Sequence, residues 1–107
     1  MSAPVSSLRN LGPATEAAFR RAGIHSADEL RTLGTDAAYA RLLAAGEKPH
    51  FIGYYVIEMG LQGRPWNDCR GEEKARLRAR FDALVARHFD SDLAGLERIL
   101  DDIGVVR

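Results

Sequence analysis

A chain of 107 residues, 46% of them hydrophobic, is long enough for one domain with a core and too short for two of ordinary size. Its 15 lysines and arginines balance its 15 aspartates and glutamates, so the formal net charge is zero. A dedicated nucleic-acid binder usually carries a basic excess, because each neutralised phosphate requires a lysine or arginine. The charge balance therefore argues against strong autonomous DNA binding, while it leaves room for a local basic patch.

The cysteine count and the first residues indicate the cellular compartment. The single cysteine, Cys69, cannot form an intrachain disulfide, which suits a reducing environment. Residues 1–10 contain no basic segment followed by an apolar run, so no signal peptide is evident. The longest apolar segment, 51–61, contains Glu58 and has about half the length of a membrane span. We expect a cytoplasmic protein that does not enter a membrane.

The first 34 residues read as a lead-in followed by two short helices joined by a turn. Residues 1–6 are predicted to be flexible, and residues 7–107 to form the domain. Pro13 suits the first turn of a helix, and Gly23 suits a left-handed cap at its end. Ser26, followed three residues later by a glutamate, predicts the start of the second helix through a capping box.

The remainder of the chain is also predicted to be helical. A third helix is expected between Gly34 and Gly46. Residues 51–63 include "YYVI", which is typical of a buried strand, but no second strand is available to pair with it, so a helix is predicted. Two more helices are expected at 71–89 and 91–103. The result is a compact all-α domain of five to six helices with helix–hairpin–helix-like turns. Trp66 is expected to fold back and bury its ring at the start of the long helix.

Residues that could carry out catalysis or bind a cofactor form no recognisable pattern. The three histidines, His25, His50 and His88, lie in separate elements, and no metal-ligand spacing, phosphate loop or nucleophile elbow is present. We expect a non-enzymatic protein without metal or cofactor. Two residues leave alternatives open. Cys69 is either an inert thiol or one activated by nearby arginines. Glu58 either lies on a solvated strip of its helix or has a functional role, and if it is buried it requires a cation.

The first hairpin is the candidate site for nucleic acid. A turn that leads into a helix presents free backbone N–H groups and the positive end of the helix dipole, which favour a phosphate. Gly12 allows close approach, Thr15 adds a hydroxyl, and Arg9, Arg20 and Arg21 supply charge. The proline after Gly12 removes one donor, so the turn is equally well explained as architecture.

Three segments in fixed order resemble one known family. They are "SLRNLGPATEAAFRRAGIHSADELRTLGTDAAYARL", "YYVIEMGLQGRPW" and the Asn67 that follows. In this order and spacing they resemble the C-terminal domain of the TfoX/Sxy family of bacterial DNA-transformation, or competence, regulators. The resemblance covers about Ser7 to Leu84, while residues 88–107 lie outside it and are predicted to add a C-terminal helix.

The resemblance implies a positive regulator of genes for DNA uptake, with a transcription regulator protein or DNA as its partner. It implies no catalytic residue. Two modes of action remain open from the residues alone. One is weak, sequence-independent contact with DNA through the first hairpin. The other is a pure protein–protein interaction module that binds a transcription factor or a second copy of itself.

Overall fold

The computed structural model describes the backbone of residues 3–102 and the side chains of residues 3–89. This part of the chain forms four α-helices: α1 (Pro13–Arg21), α2 (Ala27–Ala44), α3 (Phe51–Leu61) and α4 (Gly71–Asp102). Short 3-10 turns, Val5–Ser7 and Trp66–Asp68, precede α1 and α4. No strand occurs within residues 3–102, so the predicted all-α class is confirmed and "YYVI" is helical. None of the described helices is both long and apolar enough to cross a membrane.

The structure has fewer helices than the predicted five or six. The helices expected on either side of Gly34 belong to one element, α2, which is kinked where Gly34 takes φ 80° and ψ 170°. The break expected near Asp90 is absent, and α4 continues to Asp102. Residues 86–92 contain neither the glycine nor the proline that usually ends a helix. Ile103, where the last helix was predicted to end, lies outside the described residues.

The turn between α1 and α2 follows the signals in its sequence. Gly23 takes a positive φ of 86°, and the next N–H, of Ile24, donates to the carbonyl oxygen of Phe19 at 2.9 Å. The hydroxyl of Ser26 accepts a hydrogen bond from the N–H of Glu29 at 3.1 Å, which confirms this residue as the N-cap of α2. The cap at the end of α1 and the cap at the start of α2 therefore fix the turn between the two helices.

The lead-in predicted to be flexible is packed in the structure. Val5 is fully buried in the hydrophobic core, and the N–H of Ala27 donates to the carbonyl oxygen of Ala3 at 2.8 Å. Burial of one apolar side chain and pairing of an amide at the start of α2 together oppose the entropy of a free segment. Residues 3–6 therefore have partners in the domain, the flexibility of the lead-in stays a prediction, and Met1 and Ser2 lie outside the described part.

The core between α2, α3 and α4 is built from aromatic rings. Tyr39, Tyr54 and Phe81 contact one another edge-on or tilted, with centroids 5.5 to 5.9 Å apart. The Tyr54 hydroxyl donates to Asp36 at the edge of this cluster. Asp36 thereby joins the second helix to the third, and its other partner comes from the fourth.

That partner is Arg80 of α4. Its Nη2 atom lies 2.9 Å from Asp36 Oδ1 and 3.5 Å from Glu58 Oε1. The side chain of Glu58 is 18% exposed, so this acid is half-buried beside a cation. Glu58 therefore has the cation that burial of a carboxylate requires, and a functional role for it stays a prediction. The three side chains connect α2, α3 and α4 outside the aromatic core.

The Asp36 network predicts loss of stability in acid. Burial opposes the charge of Asp36, but hydrogen bonds from Arg80 and Tyr54 outweigh it and hold the pKa of this carboxyl below its usual value. A lowered folded-state pKa means that the contribution is complete above the unfolded pKa of about 3.9 and disappears as the pH falls through the folded value. Asp36→Asn cannot titrate, so its urea-unfolding free energy should fall less steeply than that of the wild type below about pH 5.

Asp28→Asn is the matched control for this pH series. Asp28 is exposed and pairs only with Arg31 on the same helix, at 3.3 Å. Its unfolding free energy should follow the wild-type curve, because exposed pairs contribute little. An acid limb of unchanged slope in Asp36→Asn would show that the network does not couple protonation to folding.

Gly60 in α3 lies directly against a distant part of the backbone. A Cβ atom built on this glycine would overlap the carbonyl oxygen of Arg9. The obstacle is backbone, which cannot rotate away as a flexible side chain would. Gly60 therefore allows the turn before α1, residues 8–12, to pack directly on α3. We call this turn the hairpin.

We expect Gly60→Ala to destabilise the domain by about 3 kcal/mol, because α3 and the hairpin must separate. Gly53→Ala is the control, since it lies in the same helix and its Cβ would meet only the Cβ of His50 at 3.9 Å. It should stabilise the domain by about 0.5–1 kcal/mol through helix propensity. Thermal or urea unfolding distinguishes the two. Equal effects would mean that the contact with Arg9 does not limit position 60.

Candidate functional site

The predicted hairpin residues lie in two groups at opposite ends of α1. Arg9 is exposed, and Gly12 and Thr15 are half-buried at the start of the helix. Arg20 and Arg21 are exposed in its last turn. Nine helical residues span about 13 Å, so the two arginines do not converge on the turn that would hold a phosphate.

The start of α1 has an uncapped first turn, as an anion site would, but a carboxylate already lies there. Gly12 is the N-cap and supplies no side-chain hydrogen bond to the first turn. Glu16 in that first turn accepts hydrogen bonds from the N–H and the hydroxyl of Ser6, at 3.2 and 2.9 Å, and these bonds lower the pKa of its carboxyl. Because a charged carboxylate already complements the helix dipole here, a phosphate would meet repulsion.

Arg20 and Arg21 are each paired with a carboxylate, which makes them less available to a phosphate. Arg20 Nη2 lies 3.5 Å from Glu16 Oε2, and Arg21 Nη2 lies 3.0 Å from Glu47 Oε1. Both arginines are exposed, so each pair is weak and can exchange. Each of the two arginines is thus neutralised by a nearby carboxylate.

Gly12 itself is less constrained than its sequence suggests. Its φ of −110° and ψ of −172° are available to any residue, and an added Cβ would meet nothing within 4 Å. Within the described residues, no part of the chain therefore requires a glycine at position 12, and its close approach to a phosphate stays a prediction. The residue of the hairpin that does need a special conformation is Asn10, with φ 70°.

Asn10 fixes the hairpin to the segment after α3. Its side-chain amide donates to the carbonyl oxygens of Arg64 at 2.9 Å and Val56 at 3.5 Å. Its side-chain oxygen accepts the N–H of Trp66 at 3.1 Å. One half-buried side chain thus satisfies backbone groups more than 45 residues away in the chain. Sequence reasoning missed it, although an asparagine before Leu-Gly-Pro is a typical residue for a left-handed position.

Trp66 is on the surface rather than in the core. Its side chain is 51% exposed, which contradicts the expectation that the ring folds back under the long helix. Leu77, Phe81 and Leu84 of α4 already fill that core together with α2 and α3, so the ring is not required there. The backbone of Trp66 is nevertheless held by Asn10, and the exposed ring therefore sits beside the hairpin.

The segment around Trp66 is also tied to α4. The guanidinium of Arg64 forms two parallel hydrogen bonds with the Glu73 carboxylate, at 2.7 and 2.8 Å, and a third contact with Asp68 at 3.3 Å. Fork-shaped pairs of this kind are geometrically specific. The hydrogen bonds from Arg64 lower the pKa of Glu73. Residues 8–12 and 64–67 therefore form one fixed surface, which we name the hairpin surface.

The side chains considered for catalysis or metal binding form no cluster within the described residues. Cys69 is buried, and burial raises the pKa of its thiol, which supports the inert alternative. Within the described residues, no group of three or more histidine, cysteine or acidic side chains is arranged to hold a metal ion.

The role of Asn10 leads to a prediction about stability. Asn10→Ala should cost about 2–3 kcal/mol, because the amide partners of its side chain lose their hydrogen bonds. Asn10→Gly loses the same bonds but tolerates φ 70°, so it should be less destabilising by about 1 kcal/mol. Asn67→Ala, exposed on the neighbouring turn, is the control and should be near neutral. Equal unfolding free energies for Asn10→Ala and the wild type would show that the hydrogen bonds of the Asn10 side chain do not stabilise the fold.

Comparison with known proteins assigns the chain to a family. Searches of curated proteins and of solved structures returned no significant match. The family model of the TfoX C-terminal domain matches residues 1–81, which include the hairpin surface, α1 to α3 and the first turns of α4. The chain therefore belongs to the TfoX C-terminal domain family.

Proposed function

We propose that this domain is a non-enzymatic regulatory module of competence gene expression that binds a transcription regulator protein through the hairpin surface. Membership of the TfoX C-terminal domain family supports the link to competence. The observation that carries the proposed mode of binding is Trp66, a large ring that is 51% exposed beside the hairpin. Tryptophan and arginine dominate the energetics of protein interfaces, and Arg9 is exposed on the same surface.

The rigidity of the hairpin surface supports this proposal. Asn10 and the Arg64–Glu73 pair hold the backbone on both sides of Trp66. A ring presented on a fixed backbone loses little conformational freedom when it is buried by a partner, so more of the contact energy appears as affinity. Intramolecular packing does not explain the cost of leaving this ring half in water.

A second candidate function is weak DNA contact through the same hairpin. The observation that favours it is the start of α1, where the first turn has no side-chain cap and Arg9 is nearby and exposed. Glu16 at that turn and the acidic partners of Arg20 and Arg21 weigh against it. Contact of this kind would be indifferent to base sequence, because phosphates position a protein without specifying a sequence.

A pull-down from extracts of the native host, with and without DNase, tests the proposal. The wild-type domain should retain its partner after DNase treatment. Trp66→Ala should lose that partner, with a loss of affinity of about tenfold or more. Ile52→Ala is the matched control. Ile52 is exposed to nearly the same degree, 50%, but it lies in the first turn of α3 and outside the hairpin surface.

Three outcomes separate the two functions. Retention by Trp66→Ala equal to that of the wild type would exclude the hairpin surface as the docking site. Loss of the partner with DNase would favour nucleic acid. In that case Arg9→Ala should lower the slope of log affinity against log salt by about one in filter binding, because Arg9 is exposed beside the start of α1. An unchanged slope would exclude Arg9 as a phosphate contact.

A further inference from the structure

A groove separate from the hairpin surface runs between α1 and α3. Within the described residues α1 packs on α2 and on the N-terminal turn but not on α3, and a cavity of about 370 Å³ remains between them. Small residues form its walls, namely Ala14 and Ala18 on one side and Gly53 on the other. Leu42 and Ile57 contribute to its apolar floor.

Hydrogen bonds within the chain fix the position of one side of the groove. The hydroxyl of Tyr39, which also lines the floor, accepts the N–H of His50 at 2.8 Å and donates to the carbonyl oxygen of the same residue at 3.1 Å. The loop that enters α3 is thereby fixed on α2. Because both polar capacities of this hydroxyl are used, Tyr39 presents an apolar ring to the groove.

The rim of the groove carries a single net positive charge, at Lys48, on the side of α3. Lys48 is exposed at the rim, while Arg21 and Glu47 neutralise each other at 3.0 Å. The side chain of His50 caps α3, its Nδ1 atom accepting the N–H of Gly53 at 3.3 Å. The positive end of the α3 dipole faces the same rim. An anionic group is therefore favoured over a cationic one.

We propose that this groove binds a short acidic peptide segment of a protein partner, with one or two apolar side chains on the floor and a carboxylate beside Lys48. The volume is at the lower end of ligand sites, so it admits a few side chains and not a whole helix. A bare phosphate would satisfy Lys48 but leave the apolar floor in water. The inference goes beyond the proposed function, because none of the residues that carry it belongs to the hairpin surface.

Peptide titration followed by amide chemical shifts tests the inference. The probes are three acetylated, amidated hexapeptides: Leu-Phe between two pairs of glutamates, Leu-Phe between two pairs of lysines, and Ala-Ala between two pairs of glutamates. The first should shift the amides of Ala18, Lys48 and Gly53, and bind about tenfold more tightly than either of the others. Inorganic phosphate is a fourth probe, and it should not shift Ala18.

Two substitutions, each with a control, separate the apolar wall from the charged rim. Ala14→Leu fills one wall and should weaken the first peptide about tenfold, whereas Ala44→Leu, exposed outside the groove, should leave binding unchanged. Lys48→Glu should remove or reverse the preference for glutamate over lysine peptides, and Lys74→Glu should preserve it. Unfolding curves of all four variants verify that each is folded.

The proposal is overturned by any of three results. They are the absence of shifts at millimolar peptide, equal affinities for the glutamate and lysine peptides, and shifts confined to residues 8–12 and 64–67. The last result would assign the peptide to the hairpin surface instead. Failure here and failure of the proposed function are distinguishable, because Trp66→Ala should bind the first peptide as the wild type does.

Discussion

The structure depends above all on the contact between the hairpin before α1 and the end of α3. One face of this contact is backbone against backbone, at Arg9 and Gly60. The other is polar, with the Asn10 side chain satisfying groups of Val56, Arg64 and Trp66. Without it, the N-terminal turn would be held by the burial of Val5 and the hydrogen bond between Ala3 and Ala27, and the segment between α3 and α4 would lose its bonds to the start of the chain while keeping the Arg64–Glu73 pair.

Local signals in the sequence predicted the parts of the fold that local interactions determine. Gly23 and the Ser26 cap mark real helix ends, because a left-handed cap and a side-chain acceptor act within a few residues. The placement of Trp66 could not be read in the same way. Whether a large ring is buried depends on which other side chains fill the core, and Leu77, Phe81 and Leu84 had already done so. No periodicity reports that competition.

The candidate site shows the same division. Sequence reasoning identified the hairpin as a chain reversal, but it grouped residues by proximity in the chain and so joined Arg9 to Arg20 and Arg21. Helix geometry separates them by the length of α1. The residues that organise the surface, Asn10 and Gly60, act across about 50 positions, and only tertiary structure reveals such partners.

The contact at Gly60 has an evolutionary consequence. It involves the carbonyl oxygen of Arg9 and not its side chain. Among relatives, position 60 should therefore be nearly invariant as glycine, while position 9 is free to change from arginine to any residue that suits a particular partner. A fixed backbone with an interchangeable side chain lets related domains diversify their partners without re-engineering the fold, so sequence variation at position 9 should track partner identity rather than stability.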